Sequence, residues 1–185
     1  MKLPIVRYGD PVLRAKGKRI TTIDEHVREL AANMLETMGE AHGVGLAAQQ
    51  VGEALLLTVV DVGGVEDRPS TMKLNGTDVD PKSSMPLVLL NLELSLGEET
   101  ALGPEGCLSF PEISADILRS TSVVARAQTL KGTPMEIEAT GLLARALQHE
   151  ADHLNGILFI DRMNAATKVA LASRLKRMQK ENSAR

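Results

Sequence analysis

Aromatic residues are nearly absent from this chain, which has no Trp, one Tyr and two Phe in 185 positions. Its core must therefore be aliphatic, and the length suffices to bury one without disulfides or structural zinc. There is a single cysteine, Cys107, so no internal disulfide can form and a reducing cytoplasm is the expected compartment. The N-terminal MKLPIVRYGDPVLR lacks the continuous apolar segment of a signal peptide, and no apolar run is long enough to span a membrane. Repeats, low-complexity tracts and linkers are also missing, which predicts one domain over residues 1–185.

Charge is present but unevenly placed. The net charge of −3 conceals a tail, Arg162 to Arg185, with seven Lys or Arg against one Glu; its +6 leaves −9 on residues 1–161. The body is acidic and the tail basic.

Histidine is scarce as well, at four residues, yet two of the four stand together in Gln148-His149-Glu150-Ala151-Asp152-His153-Leu154-Asn155-Gly156. On a helix, His149 and His153 project from one face at metal-binding spacing, and Glu150 points into the same cleft. The helix is expected because Leu142, Ala146, His149 and His153 fall on one side, Leu143, Leu147 and Leu154 on the adjacent one. Asn155-Gly156 stops it.

A catalytic metal of this kind takes three protein ligands and leaves one position open. A metzincin would place a third His where Phe159 stands, and a thermolysin-like enzyme needs a downstream helical Glu where only Glu181 follows. Asp161 and Cys107 remain as candidates. A lone cysteine also has two other readings, as a small buried hydrophobe or as a nucleophile paired with His.

Elsewhere, Thr22 and Glu25 form a capping-box signal for a helix carrying Val27, Leu30, Ala31, Met34, Leu35 and Met38 inward and ending near Gly39. His26 and His42 read as solvated or locally bonded. Gly43-Val44-Gly45-Leu46-Ala47-Ala48-Gln49-Gln50 has G-x-G-x-x-A spacing, but a dinucleotide fingerprint needs a strand before it and a helix after. Here a helix precedes and a strand follows, which suits a backbone that approaches a ligand closely while Gln50 offers an amide donor.

Strands are expected at Ala54 to Val62, Pro86 to Leu94, Ile113 to Leu118, Ser122 to Leu130 and Pro134 to Ala139, with turns at Arg119-Ser120 and Lys131-Gly132. Gly63 to Met85 reads as a long surface-loop insertion without periodicity. A last helix is expected over residues 164–181, with Val169, Ala172, Leu175 and Met178 inward.

Three stretches together resemble the peptide deformylase family: Gly43 to Gln50, Glu105-Gly106-Cys107-Leu108-Ser109, and Gln148 to His153. The resemblance extends to LPIVRYGDPVLR at the start and GILFIDRM near the close. It implies an α+β fold, with small antiparallel sheets around a central metal-binding helix and a C-terminal helix. It also implies a divalent metal on Cys107, His149 and His153. Ferrous iron is the expected ion, with zinc, nickel or cobalt able to substitute.

The implied reaction removes formyl from the N-terminal formyl-methionine of nascent peptides, with Glu150 moving protons and Gln50 and the Leu108 N–H at the oxyanion. Gly43, Val44, Gly45, Glu105, Gly106, Leu142 and Arg145 are the implied substrate contacts. A monomer is expected, without membrane attachment, and the basic C-terminal helix is a candidate for ribosome association. Two rivals stand beside this reading. One is a zinc peptidase using Asp161; the other is a metal-containing scaffold, against which the presence of Gln50 and Glu150 argues.

Three features depart from the family pattern. Many bacterial relatives carry Arg where Ser114 stands, and many carry an aliphatic residue at Arg145, a change shared with a subgroup that includes plant organellar enzymes. The segment Gly63 to Met85 is also longer than the family leads one to expect.

Overall fold

The computed structural model describes residues 1–183. Its helices are α1 (Glu25–Glu40), α2 (Gly141–Leu154) and α3 (Ala165–Asn182). The strands are β1 (Gly45–Ala47), β2 (Leu57–Val60), β3 (Met72–Leu74), β4 (Thr77–Val79), β5 (Leu87–Leu96), β6 (Thr100–Cys107), β7 (Phe110–Ser120), β8 (Ser122–Gln128) and β9 (Pro134–Thr140). Seven strands join in the order β1-β2-β5-β8-β9-β3-β4, while β6 and β7 form a separate hairpin. All strand pairs are antiparallel. This is the expected α+β arrangement, with α2 packed both on the larger sheet and on β7.

Helix α2 is buried almost all round: Leu143, Ala144 and Leu147 are fully enclosed, and Leu142, Ala146, His149, Glu150 and His153 are nearly so. Its leucines and alanines pack on Leu89, Val123, Ala125 and Ile137 of the sheet. Each buried leucine contributes about 1.5–3 kcal/mol, so packing rather than intrinsic propensity holds the metal-motif helix in place.

The start of α2 is secured from outside. Leu143 N–H donates to Ser70 Oγ at 2.9 Å and Leu142 N–H to the Pro69 carbonyl at 3.4 Å. Gly141 has φ +65°, and a Cβ there would run into the Pro69 carbonyl oxygen. At the other end Gly156, with φ +73°, passes close to the Arg14 carbonyl, so the Asn-Gly stop is also a packing requirement.

The segment 63–85 therefore differs from the structureless loop expected of it. It contains the β3–β4 hairpin, whose Asn75-Gly76 turn has φ of 50° and 84°, a combination suited to two-residue hairpins. Strand β3 pairs with β9 and extends the sheet. The strands are only three residues long, too short for alternation to show in the sequence.

Smaller differences have local causes. Helix α1 is capped by Asp24, whose carboxylate accepts from Val27 N–H at 3.0 Å, and not by Thr22. Arg119-Ser120 is the end of β7 rather than a turn, and Arg119 is buried. Strand β6 was not anticipated because TALGPEGC has little strand character; its pairing with β7 creates it.

In α3 the half-buried face is Leu171, Leu175 and Met178, packed on Phe110, Phe159 and Met163, whereas Val169 is 77% exposed and Ala172 is exposed too. The expected set was spaced by threes, and three such steps turn through about 180° on a helix, so it could not share one face. Of the basic tail, Arg185 lies outside the described residues.

Candidate metal centre

Cys107 ends β6, and α2 carries both histidines. Cys107 Sγ lies 3.3 Å from His153 Nε2, which lies 3.2 Å from His149 Nε2, and all three donor atoms fall within 4.8 Å of one another. Tetrahedral bonds of about 2.0–2.3 Å make coordination edges of about 3.3–3.8 Å, so the donor set fits one ion with a position to spare. Asp161, the other candidate third ligand, is elsewhere: its carboxylate pairs with Arg14 at 2.6 Å and accepts from Leu158 N–H.

Behind the histidines lies a buried charge network. Glu105 Oε1 sits 2.9 Å from His149 Nδ1, which turns His149 Nε2 toward the cysteine. The same carboxylate takes two bonds from Arg119 at 2.9 and 3.0 Å and one from Arg145 at 2.9 Å. Arg119 reaches on to Asp152 at 2.6 Å, and Asp152 is held in turn by Arg162. Burial raises the Glu105 pKa, but the bonds from His149 and Arg119 outweigh it and hold the carboxyl down to about 2.

For His149, burial works against protonation, yet its bonds to Cys107 and Glu105 raise its pKa well above the ordinary value. His153 moves the other way, pushed well down by burial and by the charges of His149 and Arg119.

Glu150 is 2% exposed, and burial pushes its carboxyl up to about 7. Thr58 Oγ1 lies 3.3 Å from Glu150 Oε2 and 2.8 Å from the Leu46 carbonyl, to which it donates. A protonated Glu150 can therefore donate to Thr58. Gly45 is required by this placement, since a Cβ on it would collide with Glu150 Oε1. Gln50 is held by its own ends: Oε1 accepts from Ala47 N–H at 3.0 Å, and Nε2 lies 3.2 Å from Ser109 Oγ and 3.6 Å from Cys107 Sγ.

The polypeptide deformylase family model matches residues 2–169. The chain belongs to this family. It is 46% identical over 182 residues to the peptide deformylase of Opitutus terrae, covering 97% of this chain and 94% of that one. It is 42% identical to the peptide deformylase of Methylacidiphilum infernorum, covering 97% and 94%. Among solved structures it is similar to Thermotoga maritima peptide deformylase, with a TM-score of 0.76, 38% identity and coverage of 89% and 99%. It is also similar to Arabidopsis thaliana peptide deformylase 1B in complex with an inhibitor, with a TM-score of 0.82, 35% identity and coverage of 98% and 91%.

The deformylase family is metal-dependent, and in this deformylase chain Cys107 and His149 line a cleft of about 300 Å³, while His153 is buried beside them and does not line it. Gly43, Val44, Gly45, Glu105, Gly106, Leu142 and Arg145 all line it, as do Gln50, Leu108 and Glu150. Two of the seven expected substrate contacts are already committed. Both oxygens of Glu105 face cations or His149, and the Arg145 guanidinium donates to Glu105 and to the carbonyls of Ala101, Gly103 and Ile117, clamping the β6–β7 hairpin to α2. Ser114 is exposed opposite Gly106 on β7.

Arg119, Asp152, Thr58 and Ser109 were missed in the sequence. For Arg119 a signal existed: Ile113, Ile117 and Arg119 share strand parity, so the alternation that buries the isoleucines also turns the arginine inward. Asp152 sits three residues from His149 on the same buried helix. For Thr58 and Ser109 the sequence carries no comparable mark.

Proposed function

We propose that this chain removes formyl from the N-terminal formyl-methionine of newly synthesised proteins and releases formate, with Cys107, His149 and His153 holding one divalent ion. The observation that carries the reading is the convergence of one thiol and two imidazoles beside a buried, protonatable Glu150 in a chain of the deformylase family. A thiolate and two imidazoles suit either ferrous iron or zinc. Iron is the proposed ion, with zinc, nickel or cobalt able to replace it.

When bound, the ion supplies a Lewis acid beside the formyl carbonyl. Glu150 takes a proton from the attacking water and delivers it to the departing nitrogen, a role suited to a carboxyl near pKa 7. The Gln50 amide and the Leu108 N–H donate to the developing oxyanion. The methionine side chain enters the cleft beside Leu142, with Gly43 to Gly45 close to the peptide backbone.

The whole chain acts as one catalytic unit, a monomer of the cytoplasm. Among the described residues no helix is long and apolar enough to cross a membrane. The exposed Lys168, Arg174, Lys176, Arg177 and Lys180 of α3 supply salt-sensitive attraction to ribosomal RNA. Co-sedimentation with ribosomes should weaken when the five become Gln, and an unchanged pellet would rule that attraction out.

The deciding experiment is anaerobic purification with metal analysis, followed by formate release from formyl-Met peptides by the unsubstituted chain and by Glu150→Gln. One ion per chain and formate release that collapses in the Gln variant are expected. A bound ion with no formate release would overturn the reading.

A further inference from the structure

Arg68 lines the cleft beside Pro104 and His42, and nothing in the reaction above uses it. It is half-buried, and among the described residues its one hydrogen bond is from Nη2 to the Pro104 carbonyl at 3.3 Å. A guanidinium has five N–H donors, so most of its capacity faces the cleft or solvent. Among the described residues it has no carboxylate partner. Arg145, the other arginine on the lining, differs in having its donors taken up by Glu105 and three carbonyls.

The mount under Arg68 is rigid. The next three residues are all bonded to the start of α2: the Pro69 carbonyl accepts from Leu142, Ser70 Oγ accepts from Leu143, and Thr71 exchanges backbone and side-chain bonds with Thr140. The segment 68–71 thus fastens itself to the metal-motif helix and carries a cation into the cleft wall.

We infer that Arg68 is a specificity-determining residue that pairs with an acidic side chain on the third residue of the formylated peptide. This rests on the deformylase reading above. In an extended peptide side chains alternate, so when the first side chain enters the cleft the second points away and the third returns to the same side. A carboxylate there meets the free face of Arg68 and is bound by charge-assisted hydrogen bonds. The chain thereby favours nascent proteins beginning formyl-Met-X-Asp or formyl-Met-X-Glu over those with Lys at the third position.

The test compares kcat/KM for three C-terminally amidated peptides, formyl-Met-Ala-Asp, formyl-Met-Ala-Lys and formyl-Met-Asp-Ala. The metal-loaded unsubstituted chain is set beside Arg68→Gln, Arg68→Lys and Arg68→Glu. Taking the Asp-to-Lys ratio within each variant cancels any general loss of folded or active protein. The ratio should be about threefold to fivefold in the unsubstituted chain, carried by KM and shrinking with added salt. It should persist in Arg68→Lys, vanish in Arg68→Gln and invert in Arg68→Glu, with formyl-Met-Asp-Ala insensitive to all three.

A ratio near one in the unsubstituted chain, or one unchanged in Arg68→Gln, overturns the inference while leaving deformylation intact. So does an equal rise in KM for all three peptides, which would make Arg68 a donor to the peptide backbone. Absence of formate from every peptide with the unsubstituted chain would overturn the deformylase reading itself.

Discussion

Glu150 occupies a position where two demands conflict. The general-base role proposed for it requires a carboxyl that ionises near neutral pH, yet it is almost fully buried, and that burial pushes its carboxyl up to about 7. The conflict is useful, because a group poised near the working pH both accepts and returns a proton with little driving force lost. Glu150→Gln keeps the shape and removes the base. That variant should fold and hold its ion, since Cys107, His149 and His153 are untouched, while formate release falls about 100- to 10,000-fold. Affinity for a formyl-Met peptide should change little, because the lost interaction belongs to the transition state. Loss of the ion in this variant would make Glu150 a ligand, and near-normal turnover would remove it from the reaction.

At the scale of elements, α2 is a metal-motif helix whose first turn is completed by a distant strand connection. Thr140, its N-cap residue, makes no capping bond to the helix, and Pro69 and Ser70 accept the orphan N–H groups instead. Gly141 makes this possible, because only a residue without Cβ tolerates φ +65° against the Pro69 carbonyl. Gly141→Ala should therefore destabilise the protein by about 1–3 kcal/mol, read as a lower denaturant midpoint with unchanged slope. It should also loosen Arg68, since both depend on the same anchor. A midpoint equal to that of the unsubstituted chain would show that the contact relaxes at no cost. The hairpin β6–β7 depends on another such tie, the Arg145 clamp, which presents Cys107 to the histidines.

Across the whole molecule, the chain of charges from Arg145 through Glu105 and Arg119 to Asp152 and Arg162 joins the hairpin, α2 and the turn at Phe159–Arg162. Because Glu105 is held down to about 2 when folded, against an ordinary value of 4.5, its contribution to stability is present above about pH 4.5 and is lost as pH falls toward 2. Glu150, shifted upward, opposes folding as pH rises from 4.5 to 7, so the two windows do not overlap. The thermal midpoint should fall steeply below pH 4.5, and less steeply in a Glu105→Gln/Arg119→Gln double variant; a flat profile down to pH 3 would contradict this. Local residue order was enough to determine the three helices, though not the inward face of α3, together with the Asn-Gly stop, the i, i+4 histidine pair and the resemblance of three motifs to the deformylase family, because each depends on spacing along one element. Tertiary structure set Cys107 beside the two histidines and Asp161 against Arg14, turned Arg119 into a buried clamp, made a strand of Thr100 to Cys107, and brought Arg68 into the cleft. Those outcomes depend on which elements pack together, and the contacts that settle them join residues 14 to 161, 105 to 149 and 70 to 143, separations over which periodicity and turn chemistry carry no information.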